Sequence, residues 1–335
     1  MDAGAEFRVD LRRATERALP PELLATLSQL DAWRGYRAFA QTLGVTILTL
    51  VIAIEYWSAW IVIPAILVIA TQQHALFVLA HDAAHYRLAP NRRVNDFLGR
   101  LVDSLAGISM CSYRVIHRLH HNHLYSMLDP DIALHGGYPR GKAYLLKKIA
   151  GDLVGITAWK TYRYFFGAPA LDTRTQRAQR PLDDTSPTLR AAARNDRRTV
   201  IGVQIALPLG ILMIFGWTGL LQYALLWILP TATLLQAILR IRAIAEHGAP
   251  ADFDSPLTAA RTNLPGLLAR WILFPHHVNY HIEHHLFPAV PHYHLPRLHA
   301  ELKKAGVLDQ AEVRKFSETL QRVYADRGEA GAPAR

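Results

Sequence analysis

Thiol chemistry is almost absent from this chain. Cys111 is the only cysteine in 335 residues, which excludes a disulfide framework and a thiolate metal site and leaves it the role of a small buried side chain. Positive charge is missing from two long stretches, since no Lys or Arg occurs between Arg37 and Arg87 or between Arg198 and Arg240. All 37 basic residues therefore flank two apolar blocks, and a chain that is 51% hydrophobic in this pattern is not an ordinary soluble domain. No nucleic-acid module accompanies the net charge of +10. Because the basic residues border apolar blocks, anionic lipid headgroups are the expected partner and nucleic acid is not. No cleavable signal peptide is expected either, because the first apolar run starts near residue 43; the first span itself would direct insertion.

Each apolar block is long enough for a helical hairpin. The first divides into spans at about 38–56 and 59–79 around Trp57, Ser58 and Trp60, and the second into about 199–215 and 220–239 around Gly216, Trp217, Thr218 and Gly219. A hydrocarbon core requires roughly 20 residues per helix, and aromatic residues at both turns suit a membrane interface. Two hairpins leave both termini and the central segment on one side, where the Lys and Arg lie, so that side is expected to be cytoplasmic. Pro64, Pro208 and Pro230 interrupt spans and can kink them.

The fold class expected is an all-α membrane protein: four transmembrane helices as two hairpins, with a cytosolic helical cap holding a di-metal site. Residues 1–36 form an N-terminal cytosolic or interfacial segment, with Leu23, Leu24, Leu27 and Leu30 at helical spacing on the membrane surface. Residues 37–305 form the main domain, its cap drawn from 81–198 and 240–305. Within the cap, 95–110 is too short and charged to span, 144–166 reads as a surface helix, and 167–198 reads as a polar linker. Residues 306–335 supply a C-terminal helix and a tail whose last ten residues have a disordered composition.

Nine of the 17 histidines fall in tight clusters or beside a carboxylate: His81 and His85 in HDAAH, His117, His120 and His121 in HRLHH, His247 in AEH, and His281, His284 and His285 in HIEHH. Residues at i, i+3 and i+4 share a helix face, so each cluster can turn its rings toward one cavity. Neutral imidazole is the commonest metal ligand, and nine exceed what one four-coordinate zinc could use. Two metal ions are the economical reading. Asp82, Glu246 and Glu283 stand inside these motifs as candidates to accept hydrogen bonds from outer ring nitrogens, with Asp129 and Asp131 as further candidates.

The order HDxxH, HRxHH, AEH and NYHxEHHLFP resembles the integral-membrane fatty acid desaturase and hydroxylase superfamily over residues 35–305. The segment from Pro275 to Leu302 is similar to that of acyl-lipid desaturases and of small bacterial relatives, among them the desaturase that makes rhizobitoxine. The resemblance implies that the nine histidines hold a non-haem di-iron centre at the cytosolic membrane face, with two iron ions as cofactor and O2 as co-substrate. It implies a lipid or acyl substrate. It also implies electrons from a separate donor of the ferredoxin or cytochrome b5 type with its reductase, since no fused cytochrome b5 signature is present. Ala243 stands where some acyl-CoA desaturases carry an Asn that completes a metal shell through water; Asn279 is the nearest candidate for that service.

Of the other eight histidines, His74 is expected to be structural or a cavity contact on the second span, and His276 and His277 to orient the last box. His292, His294 and His299 are assigned to an interfacial helix and its turn, and His123 and His135 are not assigned as ligands. The expected activity is oxygen-dependent desaturation, with hydroxylation or ketolation as the alternative, since both begin by removing one hydrogen. A metal transporter would need ionisable groups at bilayer depth, where the spans offer only Glu55 and His74. A zinc hydrolase would leave five histidines without a purpose. The Ala- and Arg-rich composition suggests a bacterial inner membrane.

Overall fold

The computed structural model describes residue 15 and residues 17–126, 129–166, 170–171, 178–179, 186–253 and 255–326. Two long helices occupy the first apolar block. A short helix α1 (Pro21–Ser28) leads into α2 (Ala32–Glu55), which Asp31 caps by accepting hydrogen bonds from the backbone of Trp33 and Arg34 at 2.9 and 3.2 Å. After a turn at Trp57, α3 (Ala59–Ala84) returns antiparallel to α2 and runs past the end of the expected span to place His81 on its last turn and His85 at its cap. From Ile69 to Ala84 nearly every side chain of α3 is buried, so this helix is the centre of the bundle.

The cap begins with α4 (Arg92–Ala106), which ends in a left-handed glycine, Gly107, and α5 (Met110–His123), whose N-cap Ser109 accepts from Ser112 N. Phe97 and Leu101 of α4 remain exposed, while Asn95, Gly99 and Val102 face inward. A single-turn helix α6 (Ile132–His135) is followed by α7 (Lys142–Leu153) and α8 (Ala158–Phe165). The expected surface helix over 144–166 is therefore two helices, separated at Gly155, whose φ of 78° only glycine adopts without strain. Strands β1 (Ala170–Leu171) and β2 (Ala178–Gln179) pair briefly.

The polar linker expected to reach residue 198 stops at Ser186, where a serine cap and Pro187 at the first helical position start α9 (Pro187–Tyr223). That helix is broken at Gly216, whose φ of 65° and ψ of −163° interrupt it inside the expected turn. Beyond Tyr223 the chain is not one regular span. A π-helical segment (Ala224–Ile228), a turn of α10 (Leu229–Ala232) and a break at Thr233 precede α11 (Leu234–His247). Pro230 explains the irregularity, because it cannot donate to the carbonyl four residues back and the bonding slips to π register just before it.

The chain closes with α12 (Pro256–Ala259), β3 (Thr262–Leu264), α13 (Leu267–Ile272), α14 (His281–Leu286), α15 (Leu295–Lys304), β4 (Val313–Lys315) and α16 (Phe316–Tyr324). The parallel pairing of β3 with β4 is a small departure from all-α, and it ties the C-terminal helix to the cap. Thr319 donates to Asn263 at 2.7 Å, and Asn263 donates to the carbonyl of Ala245 at 2.9 Å, two residues before His247. At the other end of the chain, Leu27 is fully buried with Ile282, Leu286 and Leu298, and Leu23 and Leu24 pack onto the same cluster. The leucine stripe read as a membrane-surface face thus docks on the last histidine box. Of the ten-residue tail 326–335 expected to be disordered, 327–335 lies outside the described residues.

Three stretches are long and apolar enough to cross a membrane: α2, α3, and Pro187–His247 with its breaks. Only 6% of the most apolar part of that last stretch is buried in the protein, against 50% for α3. Met213, Phe215 and Trp217 are 86%, 67% and 76% exposed. A contiguous apolar surface of this kind needs an apolar medium.

Candidate metal centre

The nine boxed histidines meet in one place, and they sort into two groups. His81, His85, His117, His121 and His284 bring one ring nitrogen each within 4.8 Å of one another, and His120, His247, His281 and His285 do the same. Helix geometry makes the division. On α5, His117 and His121 are four residues apart and point one way, while His120, a third of a turn from His121, points the other. On α14 the roles reverse, with His281 and His285 in the four-histidine group and His284 in the five. Two HxxHH helices facing each other thus build two adjacent cavities, and α3 and α11 complete one each.

The donor set fits metal ions. Nε2 atoms of His117 and His121, and of His121 and His284, lie 3.0 Å apart. In the other group, His247 Nε2 is 3.2 Å from that of His120 and 2.7 Å from that of His281, which is 3.1 Å from that of His285. About 3 Å is the spacing of two ligands held at right angles about 2.1 Å from one ion. His247 commits Nδ1 to the Ala259 carbonyl at 3.2 Å and so turns a bare Nε2 lone pair inward. The Nε2 atoms of His81 and His85 are buried with no hydrogen-bond partner, a costly state that a bound ion relieves.

Protonation follows the same logic. Burial, followed by the neighbouring imidazoles, pushes His117, His121, His281, His284 and His285 below the usual histidine range, keeping them neutral as ligands must be. His120 is the exception. Burial opposes its charge, yet Asp129 and Asp131 raise it to about 9, so a metal entering there displaces a proton.

Carboxylates surround the rings in unequal contact. Asp129 accepts from His120 Nδ1 at 2.9 Å and is itself held by the backbone of Tyr125 and Asp131. Asp82 lies 3.5 Å from His81 Nδ1 and 2.7 Å from His292 Nδ1. Glu246 lies 3.8 Å from His281 Nδ1 and accepts from Arg242 at 2.7 Å. Glu283 touches no outer ligand nitrogen: Thr262 and His299 occupy its two oxygens at 2.5 Å each, and it braces α14 against β3 and α15. Asn279 likewise grips backbone, donating to the Asn263 carbonyl at 2.9 Å, and its Oδ1 is buried without a partner.

Some participants were not legible in advance. His292, assigned to an interfacial turn, is buried against Asp82, and His299 holds Glu283. A spacing signal existed only for His299, four residues after Leu295 on α15; His292 has none, since its partner is 210 positions away. His74 bonds the Ile272 carbonyl at 3.2 Å and His276 meets Thr42 at 3.0 Å, both away from the two groups. Buried His135 stands beside His120 and Asp129.

Known proteins share sequence with this chain across the whole of the site. A family model described as fatty acid desaturase matches residues 56–316. Over 280 residues, 79% of this chain and 59% of the relative, the chain is 26% identical to the chloroplastic omega-3 fatty acid desaturase of Glycine max. Over 240 residues, 70% and 65% of the two chains, it is 29% identical to the dihydrorhizobitoxine desaturase of Bradyrhizobium elkanii. A 104-residue stretch, 28% of this chain and 22% of the relative, is 36% identical to the zeaxanthin 4-ketolase of Chlamydomonas reinhardtii. The chain spans less than two thirds of the length of these relatives.

Proposed function

The chain belongs to the fatty acid desaturase family, and from that premise we propose that it is an oxygen-dependent di-iron desaturase of an acyl chain or lipid-like metabolite, working at the cytosolic face of a membrane. The observation that carries the reading is the division of nine imidazoles, seven of them buried and two half-buried, into two converging groups at the end of the apolar bundle. In this reading α2, α3 and the two arms around Gly216 are four spans, both termini lie with the basic residues on the cytosolic side, and the membrane is a bacterial inner membrane. Electrons come from a separate ferredoxin or cytochrome b5 type donor.

Two iron ions, when bound, supply the activation of O2 and the removal of hydrogen from an unactivated carbon. The chain itself does the rest. His81, His85, His117, His121 and His284 hold one ion, and His120, His247, His281 and His285 hold the other. Asp129 and the Ala259 carbonyl keep His120 and His247 in the tautomer that leaves Nε2 free. The buried ends of α3, α5, α11 and α14 exclude water from the centre, where it would divert reactive species.

The stretch similar to zeaxanthin 4-ketolase supports one second reading, in which oxygen is added instead of a double bond formed. Mass spectrometry of lipids and small metabolites decides between them, comparing cells that express this chain with cells that express His284→Ala under air. A product short of two hydrogens is the expected result, and gain of oxygen would establish the alternative. Absence of any His284-dependent product in cells carrying a donor would contradict both.

A further inference from the structure

Between β3 and α14 the chain leaves the cap and returns to it. The two ends of this excursion are clasped. Asn263 N donates to the Asn279 carbonyl at 3.0 Å, Asn279 Nδ2 donates back to the Asn263 carbonyl at 2.9 Å, and Thr262 forms an antiparallel bridge with Tyr280. Residues 264–278 therefore make one closed loop that carries α13. At its far side His276 and His277 take φ of 50° and 59°, a left-handed conformation unusual for residues with a Cβ, and turn the chain back toward α14.

Two polar side chains on the long apolar helices receive this loop, and neither belongs to the histidine groups. His74 of α3 meets the Ile272 carbonyl at 3.2 Å, and Thr42 of α2 meets His276 Nε2 at 3.0 Å. Both stand in the stretch from Arg37 to Arg87 that has no basic residue between its ends. An ionisable side chain at bilayer depth needs a partner, and for His74 the loop backbone supplies one. Buried Leu273 and Phe274 join Ala70 and Val78 of α3 in one apolar cluster. At 1.5 Å per residue, His74 and Ala70 lie about 10 and 16 Å along α3 from His81, toward the opposite end of the span. The loop thus reaches well below the level of the metal centre.

Its outer face is apolar and has nothing over it. Leu264, Leu267, Leu268 and Trp271 are all exposed, Leu267 to 90%. Arg270 is the one Lys, Arg, Asp or Glu in 264–278, and it reaches back to His277 Nδ1 at 2.9 Å. Arg270 N and Leu273 N donate to the Gly266 and Ala269 carbonyls at 2.9 and 2.8 Å, so α13 pairs these backbone groups internally, as a hydrocarbon medium demands. Val45, one turn beyond Thr42 on α2, is exposed as well, so the span that receives the loop presents apolar surface beside the contact.

We propose that 264–278 is a re-entrant loop whose Leu264, Leu267, Leu268 and Trp271 sit among the lipid acyl chains of the cytosolic leaflet. A water-soluble partner would have to follow the loop down to the depth of His74, whereas lipid is already there. Part of the segment expected to be cytosolic cap is then membrane-embedded, and the last histidine box is tied to the leaflet through it. The proposal rests on α2 and α3 as spans and not on the desaturase reading.

Fluorescence quenching tests it with the full iron-loaded chain in phosphatidylcholine vesicles. Leu267→Cys in a Cys111→Ser background is labelled with a nitrobenzoxadiazole dye, beside controls at Leu48→Cys on the exposed side of α2 and at exposed Lys304→Cys on α15. Doxyl groups on the lipid chains should quench Leu267 about as strongly as Leu48 and several-fold more than aqueous iodide does, with the reverse at Lys304. Iodide quenching at Leu267 as strong as at Lys304 would place it in water and overturn the proposal. Protection from both quenchers would mean cover by protein, a second copy included, and would also overturn it. Iodide quenching at Leu48 would remove the spans and the proposal with them, whereas doxyl quenching at Leu48 alone removes only the loop. Should the cysteine variants fail to fold or lose iron, phosphatidylcholine with a diazirine on its acyl chain probes the unaltered protein. A photo-adduct on the tryptic peptide from Thr262 to Arg270 is expected, and its absence beside adducts on α2 would overturn the proposal.

Discussion

The two histidine groups are braced differently. In the four-histidine group two of the four outer nitrogens are hydrogen-bonded, His120 to Asp129 at 2.9 Å and His247 to the Ala259 carbonyl at 3.2 Å, while Glu246 stays 3.8 Å from His281 Nδ1. In the five-histidine group only His81 faces a carboxylate among the described residues, at 3.5 Å, and Asp82 shares itself with the closer His292. One group has fewer donors held in fixed orientation, and the other has more donors held by three helix ends. Outer-shell contacts typically change metal affinity by about 10–100-fold. The four-histidine group should therefore be the tighter site, and the five-histidine group should depend on the ion to finish its own order.

That ordering can be broken most forcefully at His284. His284→Ala should bring product below detection and lower iron from two per chain toward one, measured by mass spectrometry of product and metal; loss of both ions equally would erase the distinction. Asp129→Asn should reverse the order of affinities by weakening the four-histidine group by about 10–100-fold, read as the concentration of chelator that removes each ion.

Acid should sharpen the same contrast. The lowered histidines bind fewer protons folded than unfolded, so the stability they contribute is present above their unfolded value near 6.5 and is lost as pH falls. His120 has the opposite sign: its contribution is complete below 6.5 and fades as pH rises through about 9. The metal-free protein should therefore melt at lower temperature at pH 5 than at pH 7, and the loaded protein should release iron over the same window. A melting temperature unchanged between the two would contradict these environments.

Smaller effects lie further out. His292→Ala should speed iron loss from the five-histidine group several-fold by freeing Asp82, an effect smaller than that of Asp129→Asn in a chelator-exchange time course. Thr319→Val should cost about 1–3 kcal/mol of stability by leaving Asn263 short of a partner, with both ions retained. Iron loss there comparable to His292→Ala would mean that the C-terminal helix positions His247 more directly than its hydrogen bonds suggest.

What could be read from residues was whatever short-range periodicity encodes. The i, i+3 and i+4 spacings singled out eight of the nine histidines that converge, His247 being marked only by its adjacent glutamate and the family resemblance, and the Lys- and Arg-free blocks located the long helices, because both signals live within one helix. The division into five and four was not legible, since it depends on α5 and α14 facing each other across 160 residues of chain. The same holds for Asp82 with His292 and Thr319 with Asn263, where partners meet only after folding. Leu23, Leu24 and Leu27 show the converse failure: their helical stripe was plain, but amphipathicity alone does not say whether its apolar face meets lipid or protein. Pro230 signalled a kink without revealing that α11 would restart at Leu234.

The central claim is that nine imidazoles hold two ions in groups of five and four. Anomalous scattering at the iron edge from crystals of the iron-loaded protein tests it most directly. The account predicts two peaks per chain, one enclosed by His81, His85, His117, His121 and His284 and one by His120, His247, His281 and His285. A single peak, or a peak outside both groups, would contradict it.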